Sequence, residues 1–94
     1  MLSVEYDISG EKVLIVSDPD ALRWLAEQLR QLADLVPVGG NDHIHLMSPA
    51  WGGTALDSEP QGPGNQVVHH LKVMCFHSGK GAIGELNETP DSAP

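Results

Sequence analysis

Residues 13–36, VLIVSDPDALRWLAEQLRQLADLV, hold a strand, a helix and the junction between them. Val13-Leu14-Ile15-Val16 is apolar at every position, which predicts a strand covered on both faces and so central in its sheet. Ser17-Asp18-Pro19-Asp20 then starts a helix. Asp18 or Ser17 can accept from the free N–H groups, proline suits the first helical position, and carboxylates favour the positive end. Leu22, Leu25, Leu29, Leu32 and Val36 follow at spacings of three and four, the stripe of a helix with one face on a core. Asp20, Arg23, Glu27, Arg30 and Asp34 run along the opposite face with alternating sign, so opposite charges sit one turn apart. That ladder reads as solvated scaffold. Trp24, Gln28, Gln31 and Leu35 lie on the border between the two faces, and Pro37 with Gly39-Gly40 ends the helix.

Upstream, Leu2, Val4, Tyr6 and Ile8 alternate with Ser3, Glu5 and Asp7, a half-buried strand joined to the next by a turn at Ser9-Gly10-Glu11. Downstream, Ile44 and Leu46 alternate with His43, His45 and Met47 in a third strand. A loop over 48–65 follows, with prolines at 49, 60 and 63 and glycines at 52, 53, 62 and 64. Loops of this length in small domains are commonly functional. Gln66 to His77 reads as a fourth strand, with Leu71, Val73 and Cys75 on one face and His70, Lys72, Met74 and Phe76 on the other. The order β-β-α-β-β predicts an α+β fold, a mainly antiparallel four-stranded sheet with one helix packed on one face. Residues 1–77 read as one domain and 78–94 as a C-terminal tail. A single helix leaves the second sheet face open, and Leu14 or Val16, Met47, Met74 and Phe76 point there. The loop carrying Trp51, the tail, a second copy or a partner is expected to cover it.

The 94 residues carry 5 Lys and Arg against 13 Asp and Glu, a net charge of −8. Nucleic acid and anionic membranes are poor partners for such a chain, because phosphate binding rests on clustered Lys and Arg. The opening residues Met1–Asp7 lack the pattern of a signal peptide, and no apolar run approaches the roughly 20 residues of a membrane span. One cysteine, Cys75, excludes an internal disulfide. A cytoplasmic location is the expectation.

Little points to catalysis. Cys75 lies in an apolar run where a thiol acts as a small core residue. No serine occupies a Gly-x-Ser-x-Gly elbow, and the glycine pairs match no phosphate-cradling loop. No enzyme activity and no cofactor are expected. His43 and His45 share a strand face that His70 joins by parity, so the three form an alternative metal site. Asp42 and Lys72 are the charges nearest to it. Trp51, between Pro49-Ala50 and Gly52-Gly53, either seals the open sheet face or serves as an aromatic anchor for a partner.

The stretch Asn41-Asp42-His43-Ile44-His45-Leu46-Met47-Ser48-Pro49-Ala50-Trp51-Gly52-Gly53 resembles the immunity protein 32 family, small proteins encoded beside bacterial polymorphic toxins. Leu56-Asp57-Ser58-Glu59-Pro60-Gln61 and His69-His70-Leu71-Lys72-Val73 are similar to it as well. The resemblance covers roughly residues 1–77 and implies a cognate toxin as partner.

Together these features lead to the expectation of a non-enzymatic, stoichiometric toxin inhibitor whose acidic surface steers a basic target toward it. The expected contact surface is the sheet face away from the helix with the adjoining loop, using Glu5, Asp7, His43, His45, Trp51, Asp57 and Glu59. A small His-rich metal-binding domain and a homodimeric adaptor are the alternatives.

Overall fold

The computed structural model of the chain describes residues 1–78. The expected tail therefore lies outside the described residues, save for Ser78. The elements are β1 (Leu2–Tyr6), β2 (Val13–Ser17), α1 (Pro19–Leu35), β3 (Asn41–Met47), a 3-10 turn (Pro49–Trp51), β4 (Gln66–Val67) and β5 (His70–Phe76). All strand pairs are antiparallel, so the α+β class holds.

The single four-stranded sheet does not. β2, β1 and β4 form a three-stranded sheet in that order, and β3 pairs with β5 in a separate two-stranded one. The run read as one fourth strand is divided. Its first part pairs with β1 and its second with β3, while Val68 and His69 belong to neither ladder. Both still fasten the break, for Val68 N–H donates to the Val4 carbonyl and Ser48 N–H donates to the His69 carbonyl.

β2 is an edge strand, not the central one its composition predicts. Val13 is 67% exposed and Ile15 is half exposed. Ile8 belongs to the β1–β2 turn and is 92% exposed, because the chain leaves the sheet after Tyr6. Asp7 and Lys12 close that turn through their backbones, and Gly10 supplies the positive φ it requires.

The helix starts as its sequence dictates. Asp18 accepts from the Ala21 N–H at 2.9 Å, and Pro19 opens the first turn. Arg30 bonds both Glu27 and Asp34, and Arg23 bonds Asp20, on the solvent side. Leu25, Leu32 and Val36 are buried, whereas Leu22 and Leu29 stay substantially exposed. The covered stripe is thus narrower than the leucine pattern, since one helix meets only a small area of twisted sheet. Leu2, Val4, Leu25, Leu46 and Leu56 form the core, with Ala21, Ile44, Ala55, Val68 and Leu71 packed against it. Leu56 comes from the long loop. Its neighbour Asp57 donates its N–H to the Leu2 carbonyl, so the loop is part of the core and not an appendage.

Candidate functional site

Two polar clusters stand out, one closed and one open. The closed one begins with the alternation of β1. Leu2 and Val4 go to the core, which sends Ser3 and Glu5 to the other face. There the second half of the long loop folds over them. Glu5 is 0% exposed and accepts from the Ser3 hydroxyl at 2.6 Å, the Gln61 and Gly62 N–H groups at 2.7 and 3.1 Å, and the Asn65 amide at 3.0 Å. Burial opposes ionisation, but these donors prevail and hold the carboxyl down to about 2. Glu5 is a carboxylate enclosed by donors that latch the loop to the sheet.

The open cluster lies on β3 and β5. Residues directly opposite in an antiparallel ladder share a face, so His43 with Met74, His45 with Lys72, Met47 with His70 and Asn41 with Phe76 all point one way. This is the face turned from the core, and Phe76 is 66% exposed with Met74 at about half. His45 Nδ1 and His70 Nε2 are 2.7 Å apart, a hydrogen bond that needs one proton between them. The His43 ring meets His45 edge-on at 4.8 Å, and Trp51 lies 6.0 Å from His70. Partial burial, then the neighbouring His43, His70 and Lys72, favour the neutral form of His45.

Trp51 is placed by Ser48. Ser48 is fully buried, its hydroxyl 2.7 Å from His69 Nδ1, and its carbonyl accepts from the N–H groups of Trp51 and Gly53. Gly52 turns the chain with a positive φ. Gly53 then passes so close to β3 that an added Cβ would collide with the Met47 carbonyl. The result is a tryptophan held at the end of β3 with 60% of its surface exposed.

The seven residues expected at the contact surface do not form one patch. His43, His45 and Trp51 come together, and His70 joins them. Glu5 is internal, which removes it from any contact surface: its three loop partners are 56 to 60 residues away in sequence, and no local pattern announces them. Asp7 accepts from Ser9 and organises the β1–β2 turn. Asp57 is half-buried and lines a cleft with Met1, while Glu59 is exposed on the loop. The three histidines of the metal alternative meet on this face. His45 and His70 meet nitrogen to nitrogen, His43 packs edge-on, and no group of three or more His, Cys, Asp or Glu among the described residues is arranged to hold a metal ion.

Two clefts that the sequence did not mark flank Trp24. One, of about 440 Å³, separates Trp24 and Gln28 of α1 from His43 and His45 and is closed by Gly53 and Thr54. The other, of about 370 Å³, continues past Trp24 to Leu2, Met1 and Asp57. Trp24 and Gln28 are two of the four residues read as the border of the helix faces, and what lies across from them depends on the loop's path.

No helix among the described residues is long and apolar enough to cross a membrane. No curated protein and no solved structure matches the chain. A family model does match, over residues 12–78, taking in the helix, β3, Trp51 and both parts of the divided strand: the chain belongs to the immunity protein 32 family.

Proposed function

We propose that the protein neutralises a cognate bacterial toxin by binding it stoichiometrically in the cytoplasm, without catalysis. The observation that supports this reading, beside family membership, is the outer face of β3 and β5, which the other described residues leave exposed. Met74, Phe76 and Trp51 expose aromatic and thioether surface next to three imidazoles. Exposed apolar surface rimmed by polar groups suits recognition of another protein, and tryptophan is well suited to anchor it. The contact set is then His43, His45 and Trp51 with His70, Met74 and Phe76. Asp57 and Glu59 form an acidic flank, and Asp7 contributes through the field of the whole chain.

The net charge of −8 favours a basic target such as a nuclease, because complementary fields raise association rates by about 10- to 1000-fold. The test is expression of the toxin gene encoded beside this one, with and without this protein, in a sensitive host. Survival is expected only when the protein is present. Equal survival in its absence, or equal killing in its presence, overturns the reading.

A further inference from the structure

We infer that the toxin docks by adding an extended strand to the free edge of β3, in the cleft between that edge and α1. The inference rests on the reading of the chain as a toxin-binding protein and supplies the mode of binding. The argument starts from hydrogen-bond parity. Ser48 N–H donates to the His69 carbonyl, and His77 N–H donates to the Gly40 carbonyl, at the two ends of the β3–β5 ladder. In an antiparallel pair, residues that exchange such bonds recur at every second position. Asp42, Ile44 and Leu46 therefore direct their backbone groups to β5, and Asn41, His43, His45 and Met47 direct theirs away from it.

Two contacts fit this parity. The Met47 carbonyl accepts from the Ala55 and Leu56 N–H groups, and the His43 N–H is taken by its neighbour Asp42 at 2.7 Å. Between these closed ends, the same parity directs the His45 N–H and C=O and the His43 C=O to the edge that no other strand among the described residues pairs, and both residues line the 440 Å³ cleft there. An unpaired strand edge is a template for another chain, and proteins that do not use one normally cover it. Here the helix wall at Trp24 and Gln28 stands back from the edge and leaves a slot open.

Charge specifies the occupant. His45 favours its neutral form, and Ile44 and Leu46 line the slot, so its middle is uncharged. Asp42 places a carboxylate at one end of the edge, and the whole chain adds its net charge of −8; Asp57, in the adjoining cleft beyond Trp24, already faces the Met1 ammonium group. The fitting partner is an extended toxin segment of apolar residues with a Lys or Arg at the end that meets Asp42. Its main chain would pair with His43 and His45, and alternate side chains would reach the helix side and the histidine face.

The experiment uses the full chain, isotope-labelled, with a catalytically inactive form of the toxin domain encoded beside it. In the complex, the His45 amide is expected to exchange with solvent at least about tenfold more slowly than in the free protein. Thr54→Trp, which fills the slot from the loop side, is expected to raise Kd at least about tenfold with the melting temperature preserved. Gln28→Arg, on the opposite wall and repelling a basic segment, is expected to do the same. A tight complex with an unprotected His45 amide and wild-type affinity in both variants overturns strand addition but leaves toxin binding standing. Absence of any complex overturns both. A free protein that is dimeric with its His45 amide already protected assigns the edge to a second copy and overturns a toxin occupant.

Discussion

The Glu5 cluster and the histidine face are both polar groups placed on a sheet, yet they behave as opposites. Under β1, four donors converge on one carboxylate and the loop seals them from water. On β3 and β5, three imidazoles, a tryptophan and two large apolar side chains stand in solvent. A buried polar group is stable only when its partners are complete, so the first cluster has no capacity left for a ligand. The second has unused donors, acceptors and apolar area. Charge alone therefore identifies neither cluster as functional, and the most acidic strand position turns out to be architectural.

The comparison breaks most visibly at Glu5. Glu5→Ala leaves the Ser3 hydroxyl, two loop N–H groups and the Asn65 amide without their acceptor and is expected to cost about 3–5 kcal/mol in urea unfolding at pH 7. His70→Ala on the open face is expected to change stability by no more than about 0.5 kcal/mol. The same contrast has an acid limb. Glu5 has a folded value near 2 against an ordinary 4.5, so its contribution is complete above pH 4.5 and is lost as the pH falls toward 2. Acid unfolding followed by circular dichroism should show that limb, and its absence in the wild type would mean the carboxylate is not enclosed.

Gly53→Ala tests the hinge between the two regions. The added methyl collides with the Met47 backbone, and a loss of about 1–3 kcal/mol is expected, together with a shift in Trp51 fluorescence as the turn moves. Gly10→Ala, whose Cβ meets nothing within 4 Å, carries only the backbone penalty of its positive φ and is expected to leave that signal unchanged.

The smallest expected effect sharpens the comparison from the open side. His45 is pushed below the ordinary histidine value of 6.5, so the unfolded chain binds the proton first. Stability is thus expected to decline slightly as the pH falls through about 6.5, levelling off below the folded value. His45→Asn should abolish that decline and leave the Glu5 limb intact. An unchanged curve in the variant would show that another group causes it.

Much of this was legible where the determinants are local. Asp18 and Pro19 announce the helix start, and the parity of His43, His45 and His70 correctly assigns them to one face. What was not legible depends on distant partners. Val13-Leu14-Ile15-Val16 looks central because composition reports what a strand can bury, not how many neighbours it finds. The division at Val68-His69 has no glycine or proline to mark it; it arises because β1 and β3 compete for one stretch of chain. Glu5 reads as a solvent-facing strand residue, since nothing nearby reveals that the loop returns to enclose it. Trp51 was recognisable as an unusual residue, but Ser48 and Gly53, which fix its position, look like ordinary loop residues until the turn is seen.

The divided strand has a consequence for biosynthesis. β1 is made well before its second neighbour β4, and the three loop donors to Glu5 follow that residue by 56 to 60 positions. At about 5–20 residues per second, the amino-terminal hairpin and helix wait several seconds, exposing Leu2, Val4 and Leu25, before the residues that complete their surroundings exist. Folding is therefore expected to be a late, concerted event, gated by the arrival of residues 56–76, with no stable amino-terminal half to accumulate beforehand.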